Sequence, residues 1–226
     1  MTSTLAKLED AVVSCRRCPR LVEWRERVAT EKRAAFRDED YWGLPIPGFG
    51  DPSARVLILG LAPAAHGANR TGRIFTGDRS GDFLFAGLHR TGYANQPQSV
   101  GRGDGLELTD CFITAAVRCA PPANAPLPTE RDACRPWLED EVRLLDQLRV
   151  VVCLGAFAWA AGLALRAALG DPLPRPRPRF GHGEELSGSR LTLLACFHPS
   201  QQNTFTGRLT APMLDDVLRR ARALNR

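Results

Sequence analysis

Val56-Leu57-Ile58-Leu59-Gly60-Leu61-Ala62-Pro63-Ala64-Ala65-His66-Gly67-Ala68-Asn69-Arg70-Thr71-Gly72-Arg73-Ile74-Phe75-Thr76-Gly77-Asp78 opens on four consecutive aliphatic residues and then empties into small and polar ones. An uninterrupted aliphatic run of this length reads as a strand buried on both faces, and the remainder as a loop leaving its carboxyl end. Four glycines in the loop let backbone approach a ligand closely, Phe75 offers a stacking face, and Arg70, Arg73 and Asp78 bring charge. Similar strand-like runs recur at residues 110–117, 149–154 and 190–197. Between and after them, helical spacing covers residues 82–91, a stretch that Thr129 caps with Asp132 at N3, residues 156–169 and residues 211–224. Strands alternating with helices give an α/β fold, a three-layer α/β/α sandwich with a central four-stranded parallel sheet. Ligands in such sheets bind beyond the carboxyl ends of the strands. Both the loop after Gly60 and the segment His198-Pro199-Ser200-Gln201-Gln202-Asn203 leave such ends.

Outward from this pair, Leu5, Leu8, Val12 and Val13 have helical spacing; the pattern breaks at Cys15-Arg16-Arg17-Cys18-Pro19 and resumes through Arg33. Residues 42–52 hold three prolines and three glycines and read as a loop, while residues 171–180 are too rich in proline for a helix and read as extended surface. At 226 residues and 44% hydrophobic, the chain can bury one sizeable core, so residues 1–226 are expected to form a single domain. No apolar stretch approaches the roughly 20 residues that cross a bilayer, and the first thirty residues lack the apolar core of a signal peptide. Thirty Lys and Arg against 25 Asp and Glu leave a formal charge of +5, compatible with a polyanionic partner. Only Lys7 and Lys32 are lysines, so nearly all positive charge is arginine, whose planar fork suits phosphate.

The Gly60-Leu61-Ala62-Pro63 loop together with the distant His198-Pro199-Ser200 resembles the uracil-DNA glycosylase superfamily, whose two motifs are Gly-x-x-Pro and His-Pro-Ser. The whole loop from Gly60 to Asp78 is similar to the broad-specificity branch usually called family 5, or type b, and the resemblance runs from Cys15 to about Asn203. It implies a monofunctional glycosylase that flips out and hydrolytically excises uracil and other deaminated bases, hypoxanthine and xanthine among them, to initiate base excision repair. It further implies DNA containing deaminated bases as partner, a monomeric state, no membrane association, and a cytoplasmic protein held at the nucleoid by DNA binding. A non-catalytic iron–sulfur protein that binds lesions or senses redox state is the competing class. Asp78 argues against it, since a protein without chemistry has no reason to keep a carboxylate in that loop.

Cleaving an N-glycosidic bond requires a flipped nucleotide, a leaving base stabilised as its anion, and a polarised water or carboxylate near the cationic sugar. Phe75 is the stacking candidate, and the resemblance assigns to His198 a hydrogen bond to a carbonyl oxygen of the departing base. Many relatives have Asp, Glu or Asn directly after the first glycine; Leu61 stands there and cannot polarise water. The family pattern gives the key carboxylate to Asp78, with Asn124 assisting. Ala62 and His66 are expected at the base, as is Ala115, which occupies the place of the asparagine that reads uracil in the narrow branch and so relaxes base choice. Arg70, Arg73, Arg79 and Arg208 around the mouth, and Arg175, Arg177 and Arg179 on the proline segment, are expected to meet DNA, with Ser200, Gln201 and Gln202 entering the gap left by the flipped base. Neither motif loop holds a lysine, so Schiff-base lyase chemistry has no nucleophile there.

Seven cysteines, an odd number, argue against a disulfide framework. Cys111, Cys153 and Cys196 fall in apolar strands and read as core thiols. Cys15 and Cys18 share one tight loop, and Cys119 and Cys134 flank a proline-rich one. Spacing alone leaves zinc and an iron–sulfur cluster open. The resemblance implies a [4Fe-4S] cluster on Cys15, Cys18, Cys119 and Cys134.

Overall fold

Successive side chains of a strand point to opposite faces, so an all-aliphatic run must be covered on both sides. In the computed structural model, which describes residues 4–225, each of the four long strands is treated this way. They are β2 (Val56–Gly60), β3 (Cys111–Ala115), β4 (Val150–Leu154) and β6 (Thr192–Cys196). Val56, Ile58, Val150, Val152 and Leu194 share a core with Leu84, Phe85 and Leu88 of α4 (Arg79–Arg90) and Leu214, Val217 and Leu218 of α8 (Ala211–Leu224). The alternate residues Leu57, Leu59, Val151, Cys153 and Leu193 pack instead on Leu138 and Val142 of α5 (Pro128–Leu144) and Trp159 and Leu163 of α6 (Ala156–Ala168). Three layers result. Fully burying one such aliphatic side chain contributes about 1.5–3 kcal/mol, so these two cores are the main favourable term.

The sheet has six strands, in the order β1-β3-β2-β4-β6-β5, where β1 is Phe49–Gly50 and β5 is Glu185–Leu186. Its four central strands are parallel, as the aliphatic runs predict, but β1 and β5 add antiparallel edges, which corrects the expected count of four. Two-residue strands carry no periodicity, and their half-buried pattern is that of edges. The chain runs from β2 outward to β3 and returns to β4 on the other side of β2, so the order reverses at β2.

On the α5 side also lies α1 (Leu5–Val13), with α2 (Pro19–Glu31) following it. Short helices α3 (Ala68–Thr71) and α7 (Gln201–Phe205) sit inside the two motif loops. The cap of α5 differs from expectation. Leu127 is the cap residue, and Glu130 at N3 accepts its backbone N–H at 2.7 Å, which leaves Thr129 inside the helix. Pro128 at N1 explains the shift, because its fixed φ is already helical and starts the helix one residue before Thr129. Among the described residues, no helix is long and apolar enough to cross a membrane.

Candidate active site

The loop after β2 is held from within. Thr76, wholly buried, receives a hydrogen bond from Arg73 Nε at 3.2 Å, shares one with Ser99 Oγ at 2.6 Å, and its carbonyl accepts from Thr71 Oγ1 at 3.2 Å. Arg73 also donates to Ser99 Oγ at 2.7 Å and pairs with Asp104. Arg70 donates to the carbonyls of His66 at 2.9 Å and Gly77 at 3.3 Å, pairs with Glu39, and lies 4.0 Å above the Phe36 ring. Arg73, 8% exposed, is therefore no free phosphate contact, and Arg70 is committed in the same way. Both were expected at DNA because sequence shows charge and not direction; in the fold they brace the loop.

Braced there, Phe75 adopts a left-handed backbone with φ of +54°, rare for a bulky side chain and a form of strain that gathers at functional sites. The edge of its ring packs on Gly60: a Cβ at that position would come within 2.7 Å of the ring. From β6, His198 reaches the same place, with ring centroids 6.0 Å apart and planes 35° apart. Gly155, just after β4 at φ of +90°, leaves room for it, since a Cβ there would stand 3.2 Å from the His198 Cβ. Asn203 Nδ2 donates to the His198 carbonyl at 2.8 Å and fixes that turn.

Asp78 is the N-cap of α4, where its Oδ1 accepts the Gly81 N–H at 3.0 Å. Its Oδ2 lies against Gly67, where a Cβ would come within 2.3 Å. Burial raises the Asp78 pKa, against the backbone hydrogen bonds of Gly81 and Ser80. Burial pushes His198 the other way, down to about 4, so its imidazole is neutral near pH 7 and able to donate one N–H.

A cavity of about 620 Å³ brings these groups together, lined by Leu61, Ala62, Ala64, Ile74, Phe75, Asp78, Arg79, Ser80, Asn124, His198, Ser200, Gln201 and Gln202. Asn124 enters from an exposed turn, Pro122–Asn124, in which Ala123 and Asn124 are both left-handed at φ of +53° and +54°. Asparagine tolerates that conformation better than most residues. Ser200 caps α7 through Asn203 N–H at 3.4 Å, and Gln201 and Gln202 open that helix at the rim. Arg79 lies 5.4 Å from the ring of Phe205, which is 69% exposed. Ile74, Ala64 and Ser80 are wall residues that motif reading passes over, because nothing in an apolar or small residue marks it as lining a cavity.

Two expected base contacts stand elsewhere. His66 shares a hydrogen bond of 3.0 Å with the Tyr41 hydroxyl and is not in the cavity wall. Ala115 pairs in register with Gly60 and is 2% exposed within the same core cluster as Phe75, so Leu61 and Phe75 furnish the wall instead. Arg175, Arg177 and Arg179 are exposed on the proline segment, which Trp159 Nε1 anchors through the Pro178 carbonyl at 3.3 Å.

On the other side of the β3 end, Cys15, Cys18, Cys119 and Cys134 border one closed space with Leu21, Val117 and Trp137. Burial pushes the Cys119 and Cys134 thiols up to about 11 and 12, so thiolates there need a cationic partner. No three Cys, His, Asp or Glu side chains among the described residues converge as they would around a single ion. Two donors already face the sulfurs: Arg118 N–H toward Cys134 Sγ at 3.3 Å and Arg25 Nη1 toward Cys119 Sγ at 3.0 Å. Arg25 is fully buried, and the one carboxylate within ion-pair distance of it, Glu26, is shared with Arg16, so an anionic iron–sulfur group on the four cysteines fits the charge there.

Residues 47–222 match the uracil DNA glycosylase superfamily, and the chain belongs to it. A hydrolase of DNA N-glycosyl bonds is the class that the fold and the cavity define. Within the family the chain is most informatively compared with type-5 uracil-DNA glycosylases. It is 58% identical to that of Mycobacterium tuberculosis over 98% of this chain and 82% of the relative. Identity is 53% to the Thermus thermophilus protein, over 95% of each chain, and 46% to that of Pyrobaculum aerophilum, over 95% of this chain and 90% of the relative.

Proposed function

We propose that the protein is a monofunctional DNA glycosylase that flips uracil and larger deaminated bases, hypoxanthine and xanthine, into the cavity over Phe75 and hydrolyses the glycosidic bond. The observation that carries this reading is the convergence of Phe75, Asp78, Asn124 and His198 on one cavity beyond the strand ends. A flipped base stacks on the Phe75 ring. As the bond from C1′ to the base nitrogen breaks, its electron pair leaves with the base, and the neutral His198 imidazole donates to the carbonyl oxygen where that charge gathers. A donor in place before the charge develops needs no reorganisation, which is the main source of such catalysis. Asp78, as carboxylate, faces the sugar cation, orients the water whose oxygen bonds to C1′ and takes up the proton that water releases, and Asn124 supplies a second polar contact to that water. No lysine lines the cavity, so the product is an intact abasic site.

Base range follows from the walls. Leu61, Ala62, Ala64, Ile74 and Phe75 carry no side-chain hydrogen-bonding group, and 620 Å³ has room for a bicyclic base. An apolar wall discriminates weakly between bases, whereas a buried amide left unpaired by the wrong edge penalises it. Duplexes carrying uracil, hypoxanthine or xanthine, incubated with excess protein and tested for alkali-labile sites, should all be cut. Cleavage at uracil alone would assign a narrow specificity and place base reading in backbone groups.

The four cysteines are proposed to hold a [4Fe-4S] cluster that ties the start of α2 to the loop after β3 and to α5. Such a group supplies a structural cross-link, and base hydrolysis requires no electron from it. Protein purified without oxygen should be brown, with broad absorption near ~400 nm from iron–thiolate charge transfer. Cys134→Ser should lower bound iron and the yield of folded protein, and elemental analysis finding zinc without iron would overturn the assignment.

A further inference from the structure

Among the described residues, three arginines outside the motif loops are no more than 2% exposed, and two of them face carboxylates of their own. Arg118 forms a two-pronged pair with Glu141 at 3.1 and 2.6 Å, and Arg166 pairs with Asp171 at 2.9 Å. Those pairs neutralise themselves. Arg25 has only a shared one. The carboxylate nearest to it, Glu26, stands 3.6 Å from Nη2, is 41% exposed, and is gripped by both nitrogens of Arg16. Its Nε has no acceptor, and its remaining contacts are the Cys15 carbonyl at 3.4 Å and the Cys119 sulfur at 3.0 Å. A buried guanidinium that shares its one carboxylate with a second arginine is under-compensated, and the other groups within its reach that can carry negative charge are the cysteines.

We propose that Arg25 is the buried counter-charge of the four-cysteine iron–sulfur site, donating through Nη1 to the Cys119 sulfur and raising the site's reduction potential. This rests on the cluster reading given above. Reduction adds one electron to a group whose thiolates already make it negative. A fixed positive charge and an N–H···S bond both stabilise that added electron, and the environment sets the potential through such terms. Arg25 touches neither the cavity nor its walls, so it acts through the cysteine site and not on the substrate.

The test uses the full-length protein purified without oxygen and compares wild type with Arg25→Gln, Arg25→Lys and Arg166→Gln. Iron per chain, the visible spectrum and the midpoint potential are measured. Arg25→Gln should favour the oxidised state at least tenfold relative to wild type, a midpoint lower by about 59 mV for a one-electron couple. Arg25→Lys, which keeps the charge and loses the fork, should fall between. Arg166→Gln breaks a remote pair and should lower Tm without moving the potential. Loss of iron from Arg25→Gln with its circular dichroism intact also supports the inference. If Arg25→Gln does not fold, Arg25→Lys decides by the same measurements. Wild-type iron and an unchanged midpoint in Arg25→Gln overturn this inference and leave the cluster standing. Wild-type protein without iron overturns the cluster reading, and this inference with it, before any variant is made.

Discussion

Asp78→Asn should lower single-turnover excision of uracil by about 10²–10³, the usual loss when one pre-organised electrostatic contact is removed, while leaving thermal stability near that of wild type. The comparison with Asp78→Ala gives the result its meaning. Asp78 has two jobs, because one oxygen caps α4 through Gly81 while the residue also lines the cavity. Asn caps a helix as well as Asp, whereas Ala loses about 1 kcal/mol at such a position. Asp78→Ala should therefore lose both rate and Tm, and Asp78→Asn only rate. Wild-type excision by Asp78→Asn would reduce the carboxylate to a helix cap and leave the chemistry to Asn124 and His198. Because burial raises its pKa, the acid limb of the pH–rate profile should lie above the ordinary aspartate value of 3.8 and disappear in Asp78→Asn.

His198→Ala should cost a similar factor of about 10²–10³, with DNA binding retained. The loss should persist unchanged from pH 5 to 8, since the imidazole stays neutral down to about 4 and does not titrate in that window. A rate loss that vanished at high pH would mean that the protonated ring is the working form. Stability should respond in the opposite sense to a paired histidine. The folded pKa of about 4 lies below the unfolded value of 6.5, so between them the unfolded chain binds more protons and stability falls as pH drops. The decline of Tm over that range should be shallower in His198→Ala.

The four parallel strands were legible because continuous aliphatic runs with helical segments between them admit few other arrangements. The edges β1 and β5 were not, since two residues of half-buried chain look like loop. At the site, Asp78, Asn124, Phe75 and His198 were named from motif and resemblance and do converge on one cavity. What failed was direction. Arg70 and Arg73 sit in the same loop as Phe75 and carry the charge a DNA contact needs, yet their partners Glu39 and Asp104 lie 31 residues from each in sequence. Ala115 sits at the expected strand end, but the Phe75 ring, packed on Gly60 with a left-handed backbone, lines the wall there. No spacing rule announces that conformation. The same holds for Arg25, whose burial depends on a helix packing over cysteines a hundred residues away.

Phe75 and Asn124 line one cavity with left-handed backbone, Ala123 next to Asn124 is left-handed too, and at non-glycine positions each such residue costs on the order of 1–3 kcal/mol, least for asparagine. Their sum is a sizeable share of the roughly 5–15 kcal/mol by which a domain of this kind is stable. The molecule is thus less stable than its two packed cores alone would make it, and part of the difference resides at the cavity. A lineage moving to higher temperature would do better to strengthen the distant Arg166–Asp171 side of the fold than to relax the turn that presents Asn124.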